Sequence, residues 1–223
     1  MCRIFFVSFL MCAVSSIFLS CQDEEEEQIS SIPEETNAIK ENSELSKLMQ
    51  KVTLHDGSFD DIVDESNCFS INIPYTIFRN GESVAINSVA DYNSLTAIDD
   101  IAIVFPITIN LANHKQVFVN NSQSLEELKV QCTEDDSDIE CIDFEYPITL
   151  LLFNPNTNDI LSREIDHDAA LFQYMTEKDP EILMSIKYPI QLRAHTGQIV
   201  EISHNTDLEE QITLWANSCD EMD

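Results

Sequence analysis

Apolar and polar positions repeat in register four times between residues 68 and 219. Four prolines sit in segments of one design: Ile71-Asn72-Ile73-Pro74-Tyr75-Thr76-Ile77, Ile103-Val104-Phe105-Pro106-Ile107-Thr108-Ile109, Phe144-Glu145-Tyr146-Pro147-Ile148-Thr149-Leu150 and Ile186-Lys187-Tyr188-Pro189-Ile190-Gln191-Leu192. Counted from each proline, positions −3, −1, +1 and +3 are apolar and position +2 is polar. Period two marks a strand with one buried face. Proline has no N–H to give to a sheet, so each is expected on an edge strand or at a bulge.

Turn chemistry follows every segment. Asn80-Gly81 is a favoured two-residue hairpin turn. Ala112–Lys115, Asn154–Asp159 and His195–Gln198 hold the matching places. Return strands are expected at Val84–Asn87, Gln116–Asn120, Ile160–Ile165 and Ile199–Ser203, each followed by a polar residue able to open a helix: Ser88, Ser122, Asp168 and Asn205. Ser88 with Asp91 has capping-box spacing. Tyr92 and Leu95, Leu125 and Leu128, Leu171 and Tyr174, and Leu208 and Ile212 then supply apolar helical spacing.

The unit is strand–turn–strand–helix, written four times, and one copy cannot bury its apolar face without neighbours. The expected fold class is α+β: four strand-strand-helix repeats forming antiparallel sheets with helices on one face. Leu45, Leu48, Met49 and Val52 predict a further short amphipathic helix ahead of the repeats. The expected organisation is a leader at 1–20, an acidic tether at 21–42, a first repeat pair with the N-terminal helix at 43–132, an acidic linker at 133–140 and a second pair at 141–223.

The leader changes the picture from a fold to an address. One arginine, Arg3, precedes the apolar or small run Ile4–Phe18, then Leu19-Ser20-Cys21. This is the layout of a secretory signal, too short for a membrane span. Cys21 is the expected lipidation site, and Gln22-Asp23-Glu24-Glu25-Glu26-Glu27 follows at once. Each buried methylene contributes ~0.8 kcal/mol, and two or three acyl chains hold far better than one. The expected location is the outer membrane, lipid-anchored, on the cell surface.

Charge narrows the partners. The chain carries 11 Lys+Arg and 41 Asp+Glu, a net charge of −30, and loss of residues 1–20 makes it −31. Such a chain has no basic footprint for nucleic acid. A protein or glycan ligand remains open.

Apart from Cys2, Cys12 and Cys21, four cysteines remain: Cys68, Cys132, Cys141 and Cys219. An even number in an exported chain is expected to form disulfides. The duplication favours Cys68–Cys132 with Cys141–Cys219; the other pairing considered is Cys132–Cys141 with Cys68–Cys219.

Cys68–Ile77 and its three echoes resemble the repeats of uncharacterised surface lipoproteins of the Bacteroidota, in which a Tyr-Pro-Ile/Val-Thr strand precedes a turn and an acidic helix. Val119-Asn120 through Leu125-Glu126-Glu127-Leu128 matches the later part best. The resemblance implies the same anchored repeat architecture and assigns no activity.

Candidate chemistry is sparse. There is no Gly-x-Ser-x-Gly, phosphate loop or zinc spacing, and no cofactor is expected. Asp166-His167-Asp168 reads as a strand-to-helix junction with Asp as cap. His114 and His195 read as exposed turn residues. Asp56–Asp61 and Asp135–Glu140 offer oxygens but lack EF-hand spacing, and read as solvated acidic loops. Trp215 reads as core packing rather than a sugar platform. The expected function is a non-catalytic binding or structural module of the envelope, with no catalytic residue. The alternatives are a carboxylate-dependent glycan hydrolase and a divalent-cation-binding module.

Overall fold

A computed structural model of the chain describes residues 37–131 and 138–218. The leader, Cys21, most of the tether, Cys132, most of the acidic linker and Cys219 lie outside the described residues.

Each repeat contributes three strands and a helix. The first has β1 (Phe69–Ile71), β2 (Tyr75–Arg79), β3 (Glu82–Ile86) and a 3-10 helix, Val89–Ser94. The second has β4 (Ile101–Ile103), β5 (Ile107–Leu111), β6 (Gln116–Val119) and helix Ser122–Gln131. The third has β7 (Ile142–Phe144), β8 (Ile148–Asn154), β9 (Asp159–Ile165) and helix Asp168–Glu177. The fourth has β10 (Leu183–Ile186), β11 (Ile190–Ala194), β12 (Ile199–Ile202) and helix Asn205–Ala216. Ahead of them lie α1 (Glu44–Val52) and the short α2 (Asp61–Asp64), so the three long repeat helices are α3, α4 and α5. The fold is α+β, with four antiparallel three-stranded sheets.

Each proline-centred segment, expected to be one strand, is two. Every proline follows a cis peptide bond and divides the short strand from the long one. The two pieces enter different sheets. β1 pairs with β5, while β4 pairs with β2. The second pair repeats the exchange: β7 joins β11 and β10 joins β8. Consecutive repeats therefore trade their first strands, and each pair holds two sheets. The prolines occupy the crossings, where a missing N–H costs no ladder bond.

The period-two expectation holds after the break, whereas before it Ser70 in β1 and Ser185 in β10, off the expected face, are buried as well. Tyr75, Ile77, Ile107, Ile109, Ile148, Leu150, Ile190 and Leu192 are all buried. Each hairpin turn places a residue in the left-handed region: Asn80 and Gly81, His114, Asn158 and Gly197. The Ser88–Asp91 box forms, with the Ser88 amide donating to Asp91 at 2.9 Å.

Two cores result. The first pair packs Phe69, Ile71, Ile77, Ile86, Ile109 and Leu125. The second packs Ile142, Leu150, Ile165, Leu171, Leu192 and Ile212. Helix α1, next in sequence to the first pair and grouped with it by chain order, packs instead in the second core. Leu45, Met49 and Val52 are buried there, against α4 and α5. The cause is complementary surface: α1 has one apolar stripe, and the helix face of the second pair is where that stripe leaves water. Its start is capped by Ser43, whose hydroxyl accepts the Ser46 N–H at 3.1 Å. Ile39 extends the seam by bridging to Met184.

Candidate functional site

The chain that follows α1 crosses back to the first pair, and this crossing builds a cleft. His55 lies on that crossing; its amide donates to the Ala112 carbonyl at 2.8 Å. Its Nε2 lies 2.6 Å from the Ser70 hydroxyl on β1. His114, in the β5–β6 turn, donates from Nε2 to the Thr53 carbonyl at 2.6 Å. The two imidazoles lie 5.8 Å apart, and the Phe172 ring of α4 is 5.6 Å from His114. His114 is thus half-buried between the pairs, not an exposed turn residue as expected. The reason is tertiary: its left-handed turn points the ring into a gap that α4 closes. His195 stays exposed.

A cleft of about 280 Å³ opens here, lined by His55, Asp56, His114, Glu140, Asp143 and Asp168. Burial lowers the His55 pKa; His114 lowers it further and Asp56 opposes. Burial raises that of Asp168, against the Tyr146 hydroxyl bond and the two nearby histidines, His114 and His167. Asp143 is raised by burial and by Asp168, against Arg193.

A groove runs along α4 from His114. One section of about 570 Å³ holds Lys115, Phe172 and Glu177. The next, about 650 Å³, holds Arg163, Asp166, His167, Gln173, Tyr174 and Lys178. The Arg163 guanidinium sits 5.9 Å over the Tyr174 ring, which orders both groups. Cations and acids alternate along this wall, unlike the strongly acidic chain as a whole.

The Asp166-His167-Asp168 triplet does lie at the strand-to-helix junction, but Asp168 is no cap. His167 holds the cap position without a capping side-chain bond. Its Nδ1 contacts Asp166 at 2.6 Å. Asp168 is the first helical residue and accepts the Tyr146 hydroxyl at 2.7 Å. The fourth repeat does the same: Tyr188 donates to Asn205 at 2.8 Å. Sequence reading missed this tie. Its signal was a tyrosine just before proline in the two repeats whose helices open on Asp168 or Asn205; Ile73 and Phe105 hold that place in the others.

Ser70 beside His55 has the separation of a nucleophile and its base. Ser70 is 1% exposed within β1, so no substrate reaches it. Trp215 is half-buried against the second core, as expected. Of the acidic stretches, Asp56 accepts the Ser58 amide and hydroxyl at 2.7 and 2.8 Å. Asp60 is fully buried, so the expectation of a solvated loop fails there; the second stretch is described only over Asp138–Glu140. Among the described residues no group of three or more His, Cys, Asp or Glu is arranged to hold a metal ion.

Cys68 and Cys141 are both in disulfides. Lys129, three residues before Cys132, lies 3.7 Å from Glu65, three residues before Cys68. The Cys141 Sγ lies 4.0 Å from the carbonyl of Trp215, four residues before Cys219. No described helix is long and apolar enough to cross a membrane.

No family model matches this chain, and no match was found among curated proteins or solved structures.

Proposed function

We propose that this chain is a non-catalytic binding module of the cell envelope, held to the outer membrane by lipid on Cys21 and exposed at the cell surface. The leader, the acidic run behind Cys21 and the disulfides at Cys68 and Cys141 support an exported life. Cys68–Cys132 and Cys141–Cys219 close the two repeat pairs in this reading, in keeping with the Lys129–Glu65 and Cys141–Trp215 contacts.

One observation carries the binding reading over a hydrolytic one. The groups best suited to chemistry in the cleft are committed to the architecture: His55 to Ser70, His114 to the Thr53 carbonyl, Asp168 to Tyr146. The adjoining groove on α4 keeps Arg163, Gln173, Tyr174 and Lys178 on an accessible wall, which suits contact with a polar ligand.

Cells making the native chain and Cys21→Ala are fed a clickable fatty acid, then treated intact with protease. Label on the native chain alone, together with its loss to protease, is the expected result. An unlabelled, protected native chain refutes the anchor. Glycosidase or peptidase turnover by purified protein that vanishes in Glu164→Gln or Glu177→Gln refutes the non-catalytic reading.

A further inference from the structure

The first repeat pair contains two buried acids that the cleft does not use. Asp60 ends the 3-10 turn Ser58–Asp60, and Asp64 ends α2. Both are 0% exposed. One oxygen of each is anchored: Asp60 Oδ2 accepts the Ile71 N–H at 2.7 Å, and Asp64 Oδ1 accepts the Ser66 N–H at 3.1 Å. The other oxygen of each, Asp60 Oδ1 and Asp64 Oδ2, is buried with no hydrogen-bond donor. The two acids are four residues apart along one turn, and the charge of Asp60 acts on Asp64. A buried carboxylate oxygen with no donor is costly, and the cost falls when the carboxyl is protonated and neutral.

We propose that the buried Asp60–Asp64 pair retains a proton near neutral pH on its donorless oxygens, and that this retained proton locks residues 56–66 onto the first repeat pair. The lock joins that segment to β1 through the Asp60–Ile71 bond. Losing the proton leaves two like charges under the sheet.

The surroundings favour the proton. Asp56 and Asp61 add negative charge from the same segment, and Lys129 on α3 is the cation that opposes it at Asp64. Strands β1 and β4, which α2 packs against, bring no titratable side chain. The Tyr75 and Tyr92 hydroxyls, 3.0 Å apart, feel the charge of both acids, and the Val89–Ser94 helix, packed on the Ser58–Asp60 turn, also brings Asp91. Burial pushes Asp60 up to about 7 and, helped by the Asp60 charge, Asp64 up to about 9. With both raised from an ordinary 3.8, the native state binds protons that the unfolded chain has released. The stabilisation is complete below 3.8, declines as pH rises toward 7, and is gone above about 9.

The test uses the full chain labelled with ¹³C at aspartate Cγ, titrated from pH 3 to pH 10, with thermal unfolding followed alongside. Expected are two carboxyl steps above pH 6, and a melting temperature that falls from about pH 4 and levels off once both steps are passed. Asp64→Asn keeps an acceptor for the Ser66 N–H and cannot ionise. It should lose the later step and flatten the fall, while the exposed charge control Asp159→Asn leaves both unchanged. Two steps below pH 5 in the native chain overturn the proposal even if the variant fails to fold. So do parallel melting profiles for native and Asp64→Asn. A rise in melting temperature at pH 8 with millimolar calcium, absent in Asp64→Asn, overturns it in favour of a cation.

Discussion

Met49→Ala tests where helix α1 belongs. Met49 is 0% exposed and sits in the second core with Leu45, Val52, Leu171, Leu208 and Ile212. Truncation to alanine removes three heavy atoms, worth ~2.5 kcal/mol in transfer alone at about 0.8 kcal/mol per methylene-sized group. A cavity between three helices adds to this, so the loss is about 3 kcal/mol, inside the range for buried Met-to-Ala changes. For a domain of this size each kcal/mol moves the melting temperature by about 2–4 °C, so a fall of roughly 6–12 °C follows if the two pairs unfold together. Calorimetry reads the shift, and amide exchange reads its location. Protection should drop first in α4, α5 and β7–β12, while β1–β6 hold theirs. A shift under ~2 °C, or loss centred on β1–β6, would show that the helix is not part of the second core and sink the reasoning.

Two further outcomes follow from the same contacts. Tyr146→Phe removes the donor to half-buried Asp168 and should cost about 1–2 kcal/mol at pH 7; because the hydroxyl favours the ionised acid, urea unfolding at pH 3 should show a smaller cost, and equal costs at both values would contradict it. Peptide mapping of unreduced protein should recover Cys68–Cys132 and Cys141–Cys219, and a Cys132–Cys141 peptide would refute that pairing.

Much of the fold was legible because period two is a local property. Alternation around each proline fixed which side chains are buried, and Ile77, Ile109, Leu150 and Leu192 all reach the interior. The spacing of Leu45, Met49 and Val52 fixed a helix with one apolar stripe. The break at proline was hidden because the apolar positions keep one parity through each segment, so the sequence pattern runs through the crossing unchanged.

Tertiary structure decided everything that depends on who the neighbours are. Strand exchange sets β1 beside β5, about forty positions away in the chain, and no local pattern records a partner. The α1 stripe was visible, but not the core that would cover it. His114 in a polar turn and Asp60 in an acidic run both read as solvent-facing, since charge and turn chemistry describe a residue's own preference. Burial is imposed from outside: α4 and the chain after α1 close over one, β1 and the tyrosine pair over the other. The sequence by itself determined the four units and their inward faces; packing between units determined the cleft, the histidine contact and the buried acids.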